Sequence, residues 1–165
     1  MYWTFLSSNK QKREQWQNIS RELNITFQTI EKGFTEIQGT VSEIALQKAR
    51  DAFEFLKKPV IVEDVSLEID KWEKNPGVYI KYFPNNILPI GSKATFIICV
   101  AYMSEKGNET YTTYRARGEI CKGKVESGFE SVFKLDSNNT ILDKLDPEYH
   151  PRSIISKILL LKLNK

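Results

Sequence analysis

Two hydrophobic rhythms divide this chain into elements. Residues 2–6 are a short apolar, aromatic run of strand length. A polar turn follows, Ser7-Ser8-Asn9-Lys10-Gln11-Lys12, and then Trp16, Ile19 and Leu23 recur at helical spacing with charges between them. Residues 24–30 alternate as a second strand, and residues 33–39 are a loop containing Glu36. Thr40 and Glu43 have capping-box spacing at the start of the next helix. Its apolar positions are Ile44, Leu46, Ala49, Ala52, Phe53 and Leu56. Lys57-Lys58-Pro59 ends that helix, and Val60-Ile61-Val62 opens a buried strand that runs into Glu63 and Asp64. Two adjacent acids are thus expected where a strand ends, the edge at which open α/β sheets bind ligands. On that stretch alone, a solvated turn carrying two acids fits equally well.

The second half changes character. Asn75-Pro76-Gly77 is a turn signal, and the aromatic-rich residues 78–83 after it enclose Lys81. A loop over residues 84–92 leads to a long apolar run, residues 94–103, read as a buried strand. A turn at residues 105–108 joins it to residues 110–121, which alternate and place Tyr111, Thr113, Arg115 and Arg117 on one face. Gly118 is expected to mark a bulge or kink. Residues 122–124 and 127–129 read as flexible and residues 136–139 as a polar turn. A terminal helix over residues 152–163 is expected to turn Ile154, Ile155, Ile158, Leu159 and either Leu161 or Leu163 inward. Two βα units, a β hairpin and a closing helix predict a mixed α/β fold. Its sheet is elongated and flanked by helices, with a groove between the opening units and the hairpin.

Composition adds bounds. A chain of 165 residues, 41% hydrophobic and 27% charged, is expected to form a single domain over residues 1–165. A net charge of +3, with the basic residues spread along the chain, gives no argument for nucleic acid as a partner. Arginines beside aromatics at residues 111–117 superficially fit an RNA-binding face, but no RNP-type motif accompanies them. Cys99 and Cys121 lack metal-ligand spacing and read as reduced thiols, and a single histidine, His150, argues against zinc. No segment has the length to span a membrane, and residues 1–6 lack the basic start and cleavage site of a signal peptide, so the expected location is cytoplasmic.

The candidate chemistry is anionic-ligand chemistry. The turn at residues 7–12 offers hydroxyls, an amide, a helix start and two lysines, all suited to phosphate, although no Walker-type glycine pattern is present. Glu63 and Asp64 are hard oxygen donors suited to a metal or to deprotonating a water. Taken singly, Glu36 and Lys48 also read as solvated surface residues, and Lys81 as a snorkelling lysine.

Four segments in order resemble the inosine triphosphate pyrophosphatase (Ham1) family. They are Ser7-Ser8-Asn9-Lys10-Gln11-Lys12; Glu36-Ile37-Gln38-Gly39 with Glu43-Ile44-Ala45-Leu46-Gln47-Lys48-Ala49; Val62-Glu63-Asp64-Val65-Ser66-Leu67-Glu68-Ile69-Asp70; and Pro76-Gly77-Val78-Tyr79-Ile80-Lys81-Tyr82-Phe83. The resemblance covers about the first half of the chain closely. It implies magnesium-dependent hydrolysis of inosine, deoxyinosine and xanthosine triphosphates to the monophosphate and pyrophosphate, commonly by a homodimer; residues 87–90 are an apolar candidate for such a surface. It further implies that Ser7, Asn9 and Lys12 cradle the triphosphate and that Lys48 adds positive charge. Lys81 is placed by it at the phosphate or base side. Glu36, Glu63 and Asp64 are implied at the magnesium, with Asp64 activating the attacking water.

The second half departs from the family pattern. Ser127-Gly128-Phe129-Glu130-Ser131-Val132-Phe133 keeps the Gly-Phe of the family's Gly-Phe-Gly-Trp-Asp-Pro segment without its Trp-Asp, and His150-Pro151-Arg152-Ser153 stands where the family has Ser-His-Arg. Phe129 is expected to stack on a purine, with Arg152 and His150 reaching its base edge; Lys144 is a candidate for the family's preceding lysine. Two other readings stay open: a pyrophosphatase of relaxed specificity, and a catalytically weak nucleotide-binding relative.

Overall fold

The computed structural model of the chain describes residues 2–22, 24–123 and 128–163. Leu23, Lys124 and Ser127 therefore lie outside the described residues. The chain order is β1 (Tyr2–Leu6), α1 (Lys10–Glu22), β2 (Thr26–Ile30), α2 (Val41–Leu56), β3 (Val60–Ile69), β4 (Pro76–Gly77), β5 (Lys93–Met103), β6 (Glu109–Ile120), β7 (Phe133–Leu135) and α3 (Pro151–Leu163). One mixed sheet results, in the order β2-β1-β3-β5-β6-β7, with β4 paired to β3. β1 runs parallel to β2 and β3, and the later pairs are antiparallel. This is the mixed α/β architecture expected from the alternation of rhythms.

Side-chain alternation sorts the core into two layers. Trp3, Phe5, Ile61, Leu67, Phe96 and Ile98 share one cluster with Trp16 of α1 and with Ile155 and Leu159 of α3. Leu6, Val60, Val62, Ile97, Cys99 and Ala101 share the other with Val41, Ala45, Ala49 and Ala52 of α2. The small residues of α2 let its backbone lie close to the sheet. Thr40 caps the helix as expected: its hydroxyl accepts the Glu43 N–H at 3.3 Å, and Glu43 accepts the Thr40 N–H at 2.7 Å.

Several expectations need correcting. Glu63 and Asp64 are not at the end of a strand but in the middle of β3. Beyond them Val65, Ser66, Leu67, Glu68 and Ile69 continue the ladder against β5, from Ile98 to Ala94. It is β1 that ends: Phe5 pairs with Ile61, so the two acids stand beside the turn that follows β1. Gly118 makes no bulge, since it pairs in register with Ala94 and with Leu135. A side chain there would collide with the Lys134 carbonyl and the Phe133 ring, so close approach of β7 is what requires glycine. Residues 78–82 wind into a 3₁₀ turn, entered through Gly77 at φ +59°. In α3, Leu163 rather than Leu161 packs against the core, as one of the two expected alternatives, but Arg152, Ser153 and Ser156 also face inward with Ile155 and Leu159.

Candidate functional site

Between the end of β1 and the pairing of β4 with Leu67 and Glu68, β3 has no strand beside it on that side, and a groove of about 490 Å³ opens over this gap. Its walls come from the start of α1, the segment before α2, the 3₁₀ turn at Lys81, and the segment carrying Phe129 and Glu130. Ser7, Asn9, Lys12, Glu36, Lys48, Glu63, Asp64, Lys81, Phe129 and Arg152 all line it. His150 is absent from that lining.

The turn at one end is prefolded. Asn9 caps α1, its Oδ1 accepting the Lys12 N–H at 3.2 Å, and Ser7 Oγ accepts the Asn9 N–H at 3.2 Å. Arg13 ties the turn down by donating to the Ser7 carbonyl at 2.8 Å. A helix start with its positive dipole end facing a groove favours an anion.

Adjacent residues on a strand point to opposite faces, and this splits the acid pair. Asp64 turns toward the α2 layer, where Lys48 Nζ lies 2.6 Å from its Oδ1. The same ammonium lies 2.6 Å from Glu36 Oε1, and Lys81 pairs with the other Glu36 oxygen. Burial pushes the Asp64 carboxyl up, against the opposing pull of Lys48 and Lys12. Burial would also raise Glu36, but Lys48 and Lys81 outweigh it and hold that carboxyl low. Lys48 is held above its ordinary range: burial works against its charge, and Asp64 and Glu36 overcome the burial.

Glu63 turns to the opposite layer and is fully engaged. Arg152 Nε donates to both of its oxygens at 3.0 and 2.9 Å, and Nη2 donates to Oε1 at 2.7 Å. Trp16 Nε1 donates to Oε2 at 2.8 Å, and Lys12 Nζ stands 3.2 Å from Oε1. Burial would raise this carboxyl; Arg152, then Lys12, outweigh it and hold it down at about 2.

The expected metal ligands are therefore not one group. Glu36 and Asp64 share a lysine, while Glu63 belongs to a buried ion pair. No cluster of three or more His, Cys, Asp or Glu side chains suited to a metal occurs among the described residues. Two carboxylates do suit magnesium, which is commonly held by one or two carboxylates with water and substrate phosphates completing its shell.

Arg152 also departs from its expected role at a base edge. It is 1% exposed. Its Nη1 donates at 2.6 Å to Oε1 of Glu130, a second buried acid. Burial would raise the Glu130 carboxyl, but Arg152 and His150 hold it far below the ordinary carboxylate range. His150 serves the helix behind the groove: its Nδ1 accepts the Arg152 N–H at 3.2 Å, and its Nε2 lies 3.5 Å from Glu130 Oε2. Lys144 is likewise absent from the groove lining.

Sequence reasoning passed over Glu130, Gln15 and Lys32, which also line the groove. Glu130 stood in view as the acid directly after Phe129. Gln15 lies three positions after Lys12, on the same helical face. Phe129 itself leans on Phe96, ring centroids 5.6 Å apart, and keeps part of its surface on the groove.

Lysines and acids around one end of a groove, with an aromatic ring lining it as well, define an α/β protein fitted to a polyanion that carries a flat apolar group. The chain belongs to the Ham1 family, whose model matches residues 3–153. A dITP/XTP pyrophosphatase from Methanothermobacter marburgensis is 29% identical over 156 residues, covering 92% of this chain and 79% of that one. An inosine triphosphate pyrophosphatase from Fusarium vanettenii is 33% identical over 161 residues, covering 86% and 84%. The fold is that of a HAM1 protein from Coxiella burnetii, with a TM-score of 0.74 over the whole of both chains at 22% identity. Among the described residues, no helix is long and apolar enough to cross a membrane.

Proposed function

We propose that this protein hydrolyses non-canonical purine nucleoside triphosphates (ITP, dITP and XTP) to the monophosphate and pyrophosphate. The observation that carries this reading is the pairing inside the groove. Lys12, Lys48 and Lys81 are each held by a carboxylate of the same site. With a polyphosphate and a divalent cation in the groove, Lys12, Lys48 and Lys81 would pair with phosphate oxygens, and Glu36 and Asp64 would hold the cation while Glu63 keeps Arg152. Charge is conserved, so little net charge is left uncompensated in a half-buried site. The names of the relatives support the substrate class.

Water adds across the α–β anhydride. A new P–O bond forms, the bridging oxygen leaves with the other phosphorus, and Asp64 takes the proton of the water. Lys12 and Lys48 neutralise the phosphates and position them, which is most of what phosphoryl transfer requires. Magnesium is the cation we assign to Glu36 and Asp64, where it supplies charge neutralisation for the leaving pyrophosphate. Phosphorus NMR of the products tests the reaction type. Monophosphate with pyrophosphate is expected; diphosphate with orthophosphate contradicts it.

Phe129 is assigned to stack on the purine. Phe129→Ala is expected to raise KM roughly 5- to 100-fold, with a smaller change in kcat, since stacking on an aromatic is worth about 1–3 kcal/mol per base. An unaltered KM places the base elsewhere.

We also assign the protein to a homodimer formed in the cytoplasm. Ile87 and Ile90 are 49% and 69% exposed, and Tyr82 is exposed as well. Exposed apolar groups of this kind favour association. Sedimentation at micromolar concentration is expected to show a dimer, and a monomer alone rejects this assignment.

A further inference from the structure

Gln15 carries a feature that the phosphate chemistry does not use. Its Nε2 donates to Glu130 Oε2 at 3.2 Å. That bond fixes the orientation of the amide, because a flipped amide would set its oxygen against a carboxylate. The other end, Oε1, is buried and has no hydrogen-bond donor among the described residues. A buried acceptor without a donor is rare, and it calls for a partner that is absent from the protein itself.

Its place says what that partner is. Gln15 lines the same groove as Phe129 and Glu130. It lies three residues beyond Lys12 on α1, about 4.5 Å further from the helix start that faces the phosphates. Arg152, the donor expected to meet the base, is committed to Glu63 and Glu130. Gln15 Oε1 is thus a buried acceptor in this part of the groove that the protein's own donors leave open to a base.

We propose that Gln15 is a specificity-determining residue: its carbonyl oxygen accepts the ring N1–H of a 6-keto purine. Hypoxanthine and xanthine carry that N–H, and adenine has an unprotonated ring nitrogen in its place. Adenine sets one acceptor against another, leaving the buried oxygen unpaired. This inference rests on the pyrophosphatase reading and deepens it by naming the group that selects the base.

The test compares ITP, N1-methyl-ITP and ATP as substrates of the wild type and of Gln15→Met, which keeps the length of the side chain and removes the amide. In the wild type, N1-methyl-ITP and ATP are expected to have kcat/KM roughly 10- to 100-fold below ITP, the cost of one unsatisfied buried partner. In Gln15→Met, the ITP value is expected to fall, mainly through KM, and the ATP value to rise as the opposed acceptor is removed, so that the two converge. N1-methyl-ITP turned over as well as ITP by the wild type overturns the proposal without any variant. An unchanged ITP-to-ATP ratio in a folded Gln15→Met protein also overturns it. Absence of pyrophosphate from every triphosphate in the wild type is a different failure, that of the pyrophosphatase reading itself.

Discussion

Asp64→Asn is expected to lower the rate of pyrophosphate release by about 10²- to 10⁴-fold, the range of a positioned general base, while leaving the fold and nucleotide binding in place. Asparagine keeps the shape of the side chain and an oxygen for Lys48, which also retains Glu36 at 2.6 Å. The protein already disfavours charge at residue 64, because burial pushes its carboxyl up. Replacing it with a neutral amide therefore costs little stability. Losing the base is a different matter, since asparagine cannot take a proton from water. Single-turnover kinetics separate the effects: a slow chemical step, with nucleotide affinity within a few-fold of the wild type. A variant that releases pyrophosphate at the wild-type rate removes Asp64 from the chemistry.

Arg152→Met is expected to destabilise the protein by about 3–5 kcal/mol at neutral pH, because the variant leaves buried carboxylates short of their cation. For a chain of this size that corresponds to a fall in melting temperature of about 10 °C. The pH dependence identifies the cause. In the wild type, Glu63 is held at about 2 by Arg152 and Lys12. A folded-state value below the ordinary one means that the contribution of Glu63 to stability is complete above pH about 4.5. It is lost as pH falls toward 2. In the variant, Glu63 and Glu130 lose that partner and rise, so protonation relieves them and stability is regained as the solution is made acidic. The gap between the two proteins is therefore widest at neutral pH and narrows by pH 4. A constant gap across that range attributes the loss to packing, and no loss at all shows that the ion pair does not hold the floor of the groove to α3.

The difference between these substitutions follows from one property of β3. Glu63 and Asp64 are neighbours in sequence, and that made them look like a shared metal site. Alternation sends one toward α1 and α3 and the other toward α2. The period-two rule is legible in any sequence, but the continuation of the strand through Ser66 and Glu68 is not, because those polar residues dilute the apolar pattern. Pairing with β5 carries the strand on regardless. The capping box at Thr40, the βα opening and the hairpin needed no tertiary partner to be recognised, and they stand where local chemistry put them.

Arg152 shows the opposite case. Its helix presents an Ile- and Leu-rich stripe, and nothing local signals that an arginine at its first turn points inward. The acids that require it, Glu63 and Glu130, lie 89 and 22 residues away in the chain. Long-range charge compensation of this kind is invisible to periodicity. The same holds for Gln15, whose significance lies in an oxygen without a donor.

Initial rates of pyrophosphate release, measured with magnesium on ITP, dITP, XTP, ATP, GTP, CTP and UTP and with Asp64→Asn as control, test the central claim most directly. Preference for ITP, dITP and XTP over ATP and the pyrimidine triphosphates, lost in the control, is the predicted result. Equal rates across the set contradict selection for non-canonical purines. No release from any of them, with nucleotide still bound, contradicts the enzymatic reading and leaves a nucleotide-binding protein.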